Sequence, residues 1–176
     1  MKFYFNNKLK NSTYENTDTF TFDGSTKKCK ILKVYDGDTL WLSTVLFNKI
    51  YKMRIRMDGY DSPEMKPSLK NKNRDEEKKA AKEAKEYLEK LILNRIVNVK
   101  FGKYDKYGRP LCTVYYDLPK YYCGLKLPIC CFKSTINVNE QMISMGYGYP
   151  YKGGTKLKYR KKEKYSEFEL QEEILI

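Results

Sequence analysis

The stretch YKMRIRMDGYDSPE, residues 51 to 64, decides the fold. Arg54 and Arg56 alternate with Met53, Ile55 and Met57, the period of a strand with one polar and one apolar face. The strand runs at once into Asp-x-x-Asp-x-Pro-Glu, where Pro63 stiffens a turn that holds Asp61 and Glu64 at a fixed relative angle. A half-buried strand and a solvated turn explain the alternation. They leave open why two arginines and several carboxylates crowd its end.

Working outward, CKILKVY (29–35), Asp36-Gly37 and DTLWLSTVLF (38–47) predict two strands joined by a hairpin turn, since an Asp-Gly pair tolerates positive φ. KIYKMRIRM (49–57) is a third strand, completing a meander. Residues 74–93, RDEEKKAAKEAKEYLEKLIL, predict a helix: Ala80, Ala84, Tyr87, Leu88, Leu91 and Ile92 recur at helical spacing, acids open it and Asn94 ends it. RIVNVKFG (95–102) and PLCTVYYD (110–117) are strands flanking the loop KYDKYGR. A short helix follows in NEQMISM (139–145), with Asn139 as N-cap and Gly146 at the C-terminal turn. Five strands with a helix between the third and fourth is the order of an α+β fold built on an OB-type β-barrel, with one or two short C-terminal helices.

The expected organisation is an N-terminal extension over 1–27 with a strand near Phe20 to Phe22, a barrel domain over 28–152 and a basic tail over 153–176. The Tyr-, Cys- and Pro-rich segment 118–135 reads as an insertion in the domain, facing the substrate side. Residues 152–164 hold seven Lys or Arg against one Glu.

A chain of 176 residues is one domain by length. Its 35 basic against 22 acidic side chains, a net charge of +13, predict a polyanionic partner, and 17 tyrosines interleaved with the basic residues suit the stacking of unpaired bases. No apolar run is long enough for a membrane span and no secretory leader is evident, so neither a membrane role nor export is expected, and the chain is placed in the cytoplasm. With no histidine present, Ser-His and Cys-His nucleophiles and two-histidine zinc sites are excluded. Cys29, Cys112, Cys123, Cys130 and Cys131 lack the paired spacing of a zinc site and are expected as free thiols.

Three motifs come in order: DGDT (36–39), RMDGYDSPE (56–64) and, beyond the helix, DKYGR (105–109). Together they resemble the staphylococcal nuclease (thermonuclease-like) family, across roughly residues 28 to 151. The resemblance implies a Ca²⁺-dependent endonuclease that cleaves DNA and RNA with little base specificity and leaves 3′-phosphates. It leaves open whether Mg²⁺ or Mn²⁺ replaces Ca²⁺, and it implies no small-molecule cofactor. By the same resemblance Asp38, Asp61 and the carbonyl of Ser62 are the metal ligands, Glu64 orients or deprotonates the attacking water, and Arg56 and Arg109 are the catalytic arginines. Hard oxygen ligands suit Ca²⁺, and planar guanidinium forks suit phosphate oxygens. Asp36 resembles the carboxylate beside the metal site, with a role confined to starting the turn as the alternative. Lys106 and Tyr107 match positions that contact the nucleotide phosphate, and either could serve only the turn. Tyr149 and Tyr151 of GYGYPYKGG are assigned to the tyrosines that cover the nucleotide, in a register that Pro150 leaves open. Arg54 has no counterpart in the family's pattern, and a phosphate path and a structural charge are both open to it. The alternative function on the same fold is a catalytically silent nucleic-acid-binding module, or a basic protein coating nucleic acid. Oligomeric state stays open.

Overall fold

In the computed structural model, which describes residues 6, 8–117 and 135–151, the meander forms as the alternation requires. Strands β1 (Thr26–Val34), β2 (Thr39–Leu46) and β3 (Lys49–Met57) pair antiparallel in sequence. The two-residue β4 (Tyr60–Asp61) precedes helix α1 (Arg74–Ile92). Strands β5 (Ile96–Tyr104) and β6 (Pro110–Asp117) form a second hairpin, β5 against β1. A parallel pairing of Arg56 with Leu111 and of Met57 with Cys112 closes β3 onto β6. The result is a closed five-stranded barrel of mixed sense with α1 between its third and fourth barrel strands, the OB-type α+β architecture the sequence predicts.

Three short elements lie beyond the five. Strand β7 (Thr135–Asn137) extends the sheet on β6, helix α2 (Val138–Ser144) follows it directly, and β8 (Tyr149–Pro150) pairs with β4. Thr135 is therefore a strand residue. Residues 118–134 of the expected insertion, and the tail 153–176, lie outside the described residues, as do Cys123, Cys130 and Cys131. Cys29 and Cys112 are free, buried thiols. Among the described residues no helix is long and apolar enough to cross a membrane.

The core is one cluster inside the barrel, with Ile31, Leu40, Leu42, Ile55, Val99 and Phe101 fully enclosed. Helix α1 covers one end through Ala81, Ala84, Leu88 and Ile92, so the face turns inward at Ala81 rather than Ala80. It ends where Asn94 takes φ +62 and its N–H bonds to Ile31 O at 3.0 Å.

Three local expectations are corrected. Residues 20–22 form no strand; Phe22 instead lays its ring on Phe101, 5.4 Å between centroids. The Asp36-Gly37 turn has no positive φ. Gly37 is required there for space, because a Cβ would stand 2.6 Å from that of Ser62. The positive-φ hairpin turn lies instead between β2 and β3, at Phe47 (φ +49) and Asn48 (φ +60). The N-cap of α2 is Asn137, whose side chain accepts from the N–H groups of Asn139 and Glu140. Asn139 is buried, accepting from Val114 N–H at 2.9 Å and donating to Asp58 O at 2.8 Å and Cys112 O at 2.9 Å. It satisfies backbone groups where β3 leaves the barrel, a demand of tertiary pairing that outranks a local cap.

Candidate active site

Each element of the site begins with a backbone constraint. Val34 and Leu40 are register partners, so the loop between them delivers Asp38 immediately before β2, and Thr39 lies opposite Arg56 on β3. The N–H of Met57 bonds to Asp38 O at 2.7 Å, fixing that approach. The turn after β3 is tied to the same loop by Tyr60, a fully buried side chain whose hydroxyl donates to Gly37 O at 2.7 Å. The close approach at Gly37 then sets Ser62 against Asp38.

Asp38 is 4% exposed and Asp61 5%, so both carboxylates need partners. Asp38 Oδ1 accepts from Arg56 Nη1 at 3.2 Å and from Thr39 Oγ1 at 2.9 Å. Its Oδ2 accepts from the N–H and hydroxyl of Ser62 at 3.1 and 3.2 Å. The other guanidinium nitrogen, Arg56 Nη2, donates to Asp61 Oδ1. One planar fork thus spans both acids, which places them within a single guanidinium's width of each other. Asp36 accepts from the N–H of Asp38 at 3.1 Å, and its carboxyl is pushed up to about 6 by burial first and by the charge of Asp38 second. The basin holds more negative charge than Arg56 neutralises.

Arg109 arrives from the opposite side on the β5–β6 hairpin. Gly108 at φ +74 makes the turn possible, and Asp105 organises it. Asp105 Oδ1 accepts from the N–H groups of Tyr107 and Arg109 at 2.8 and 2.9 Å. Oδ2 accepts from Arg109 Nε at 2.7 Å. Burial works to raise the Asp105 carboxyl, but the N–H and guanidinium of Arg109 and the N–H of Tyr107 outweigh it and hold the acid below its usual range. Arg109 Nη1 also donates to Thr39 Oγ1 at 3.3 Å, linking the two halves of the site.

Glu64 is exposed, and its backbone is pinned from behind: its N–H bonds to Glu77 Oε1 at 3.1 Å. Glu77 projects from the inward face of α1, 6% exposed, and its second oxygen accepts from Asn71 Nδ2 at 2.5 Å.

A cleft of about 980 Å³ collects these groups. Asp36, Asp38, Arg56, Asp61, Ser62, Glu64, Lys106, Tyr107, Arg109 and Tyr151 line it, ten of the eleven residues assigned to the site from sequence. Tyr149 does not. It pairs with Asp61 in the β4–β8 ladder, while the N–H of Tyr151 bonds to Gly59 O at 2.8 Å and brings that residue to the wall. Tyr147 packs on Tyr87 of α1, rings stacked 4.5 Å apart.

Asp105, Glu77, Thr39 and Tyr60 escaped the sequence reading. Two of them left a signal. Asp105 opens the DKYGR turn four residues before Arg109, and Glu77 is an acid on the line Ala81, Ala84, Leu88, where an apolar residue belongs.

Two buried carboxylates and a backbone carbonyl are oxygen ligands of the right kind for a hard cation, and Asp36 lies beside them as a third acid, raised by burial first and by the charge of Asp38 second. Among the described residues no three acids already converge in ligating geometry, so waters and substrate oxygens would complete the shell. The residues fit such an ion.

A family model described as staphylococcal nuclease homologue matches residues 54–173, more than half of the chain. The match begins at Arg54, so Asp36 and Asp38 precede it and join the site through the β2–β3 pairing. Comparison with curated proteins gave no match.

Proposed function

The chain belongs to the staphylococcal nuclease family, a family of nuclease-type hydrolases acting on nucleic acids, and from that premise we propose that it hydrolyses phosphodiester bonds of DNA or RNA in a Ca²⁺-dependent reaction with little base specificity. The single observation that carries this reading is the convergence of Asp38 and Asp61 on one fork of Arg56, in a cleft that also receives Arg109 and Glu64.

Asp38, Asp61 and the Ser62 carbonyl would hold the ion. When bound, it supplies Lewis-acid polarisation of a phosphoryl oxygen and neutralises developing charge. Arg56 neutralises the two carboxylates in the state described here; relieved of them, its fork is free to meet the phosphate. Arg109, aimed by Asp105, meets the phosphate from the other wall, and both guanidiniums stay charged at any working pH. Losing one such donor should cost on the order of 3 kcal/mol of transition-state stabilisation. Glu64 and Asp58 are the exposed carboxylates of the cleft; the resemblance assigns Glu64 to take a proton from water, a task a carboxylate must perform where the chain has no histidine. Lys106, Tyr107 and Tyr151 line the walls where the nucleotide would lie. In-line attack of water on phosphorus, breaking the bond to the 5′ oxygen, which leaves protonated as a 5′-hydroxyl, would leave a 3′-phosphate.

The test is incubation of the purified protein with plasmid and with single-stranded RNA, in Ca²⁺ and then in chelator. Degradation that chelator stops is the expected result. Retarded but intact nucleic acid in both conditions would replace the enzyme with a binding module on the same barrel.

A further inference from the structure

Arg54 has no role in the chemistry above, yet its surroundings are specific. Strand β3 pairs with β6 only at Arg56 and Met57; before that point the two strands part and the barrel wall opens. A second cavity of about 620 Å³ fills the gap, lined by Phe22, Met53, Arg54 and Tyr104 together with Tyr107 and Arg109. Tyr107 and Arg109 also line the catalytic cleft, so the two cavities share a wall.

The Arg54 guanidinium lies 4.8 Å over the ring of Tyr35 and makes no ion pair among the described residues. Its Nε is buried with no hydrogen-bond partner among them. Arg54 is only half-buried and lines the cavity, and a permanent cation without an ion pair there suits a phosphate. On the other side, the Tyr107 ring is held by Lys106 Nζ at 5.1 Å and Arg109 Cζ at 5.5 Å, and Phe22 is braced on Phe101 at 5.4 Å. Aromatic walls with a cationic rim suit an unpaired base and its phosphate. Paired bases face the duplex axis and cannot reach such a recess.

We propose that this cavity is a second nucleotide subsite, which takes the base and phosphate of the residue next to the scissile bond in single-stranded DNA or RNA. Arg54 grips the phosphate, and Tyr104 with Tyr107 flanks the base. The proposal rests on the nucleolytic reading of the neighbouring cleft.

Binding of a dye-labelled thymidine mononucleotide and tetranucleotide, measured by anisotropy in chelator, tests it. Arg54→Ala and Tyr104→Ser, each checked for a folded spectrum, should weaken the tetranucleotide by about 10-fold and leave the mononucleotide within about twofold. Arg54→Lys, which keeps charge and loses the fork, should fall between. Trp41, the chain's one tryptophan and the register partner of Arg54, should change its emission with the tetranucleotide and not with the mononucleotide. Unchanged tetranucleotide affinity in a folded variant, or equal loss for both ligands, would overturn the subsite. Because no turnover occurs in chelator, a protein that shows this length dependence yet never degrades nucleic acid sinks the nuclease reading alone.

Discussion

Asp105 holds Arg109 along one edge of its guanidinium: Nε and Nη2 each stand 2.7 Å from one carboxylate oxygen, Oδ2. The other oxygen caps the N–H groups of the same turn, so one acid fixes both the backbone and the aim of a proposed catalytic cation.

Asp105→Asn keeps an acceptor for the turn but presents an amide N–H₂ to the guanidinium. We expect a fall in kcat of about 10-fold or more with KM little changed. The folded carboxyl titrates below its usual 3.8, so its ionised form favours the native state. That contribution is complete above about pH 3.8 and is lost as pH falls through the lower folded value. The gap in urea midpoint between wild type and variant should therefore be constant near neutrality and shrink in acid. A gap unchanged down to about pH 2 would contradict the assignment.

Glu64→Gln and Arg109→Ala should each lower turnover by at least ~100-fold while nucleic-acid affinity largely survives. Parallel loss of binding and turnover would demote both residues to anchors.

Glu77→Gln tests the support behind Glu64. An amide can accept from only one of the two donors now facing Glu77, the Glu64 N–H and Asn71 Nδ2. A cost of about 1–3 kcal/mol in stability follows from the unmatched group, with a lowered kcat if Glu64 shifts. A variant as stable and as active as wild type would show that the contact carries neither.

Gly37→Ala puts a methyl group 2.6 Å from Ser62 Cβ and 3.2 Å from Ala84 Cβ. Ser62 must move away from Asp38, so the rise in melting temperature that the proposed Ca²⁺ site predicts for the wild type should be reduced or absent in the variant. An undiminished Ca²⁺ shift would remove Ser62 from the ion's neighbourhood.

Phe47 is 83% exposed and occupies the left-handed region, φ +49, at the β2–β3 turn. Phe47→Asn supplies a side chain that such turns favour and loses no core contact. Stability should rise by about 0.5–1 kcal/mol, read as a higher melting temperature; a fall would mean the exposed ring has a contact worth more than the strain.

Much was legible in one dimension because it depends on neighbours along the chain. The alternation in Met53 to Met57 gave β3 its two faces, the spacing Ala84, Leu88, Ile92 gave α1 its inward side, and the order of five strands with a helix after the third gave the barrel's connectivity. These patterns follow from the fixed periods of strand and helix, which each segment carries by itself. What no local pattern carries is pairing at a distance. The bond from Asn139 Nδ2 to Asp58 O spans 81 residues, the fork of Arg56 joins acids from two separate turns, and Gly37 matters only because Ser62 arrives beside it. So the sequence by itself determined which long elements form and which side chains are available for the chemistry, while the short strands β4, β7 and β8 exist only through their pairing. The closed barrel decided which of them meet, because closure satisfies buried polar groups and shapes cavities through contacts that exist only once the strands have paired.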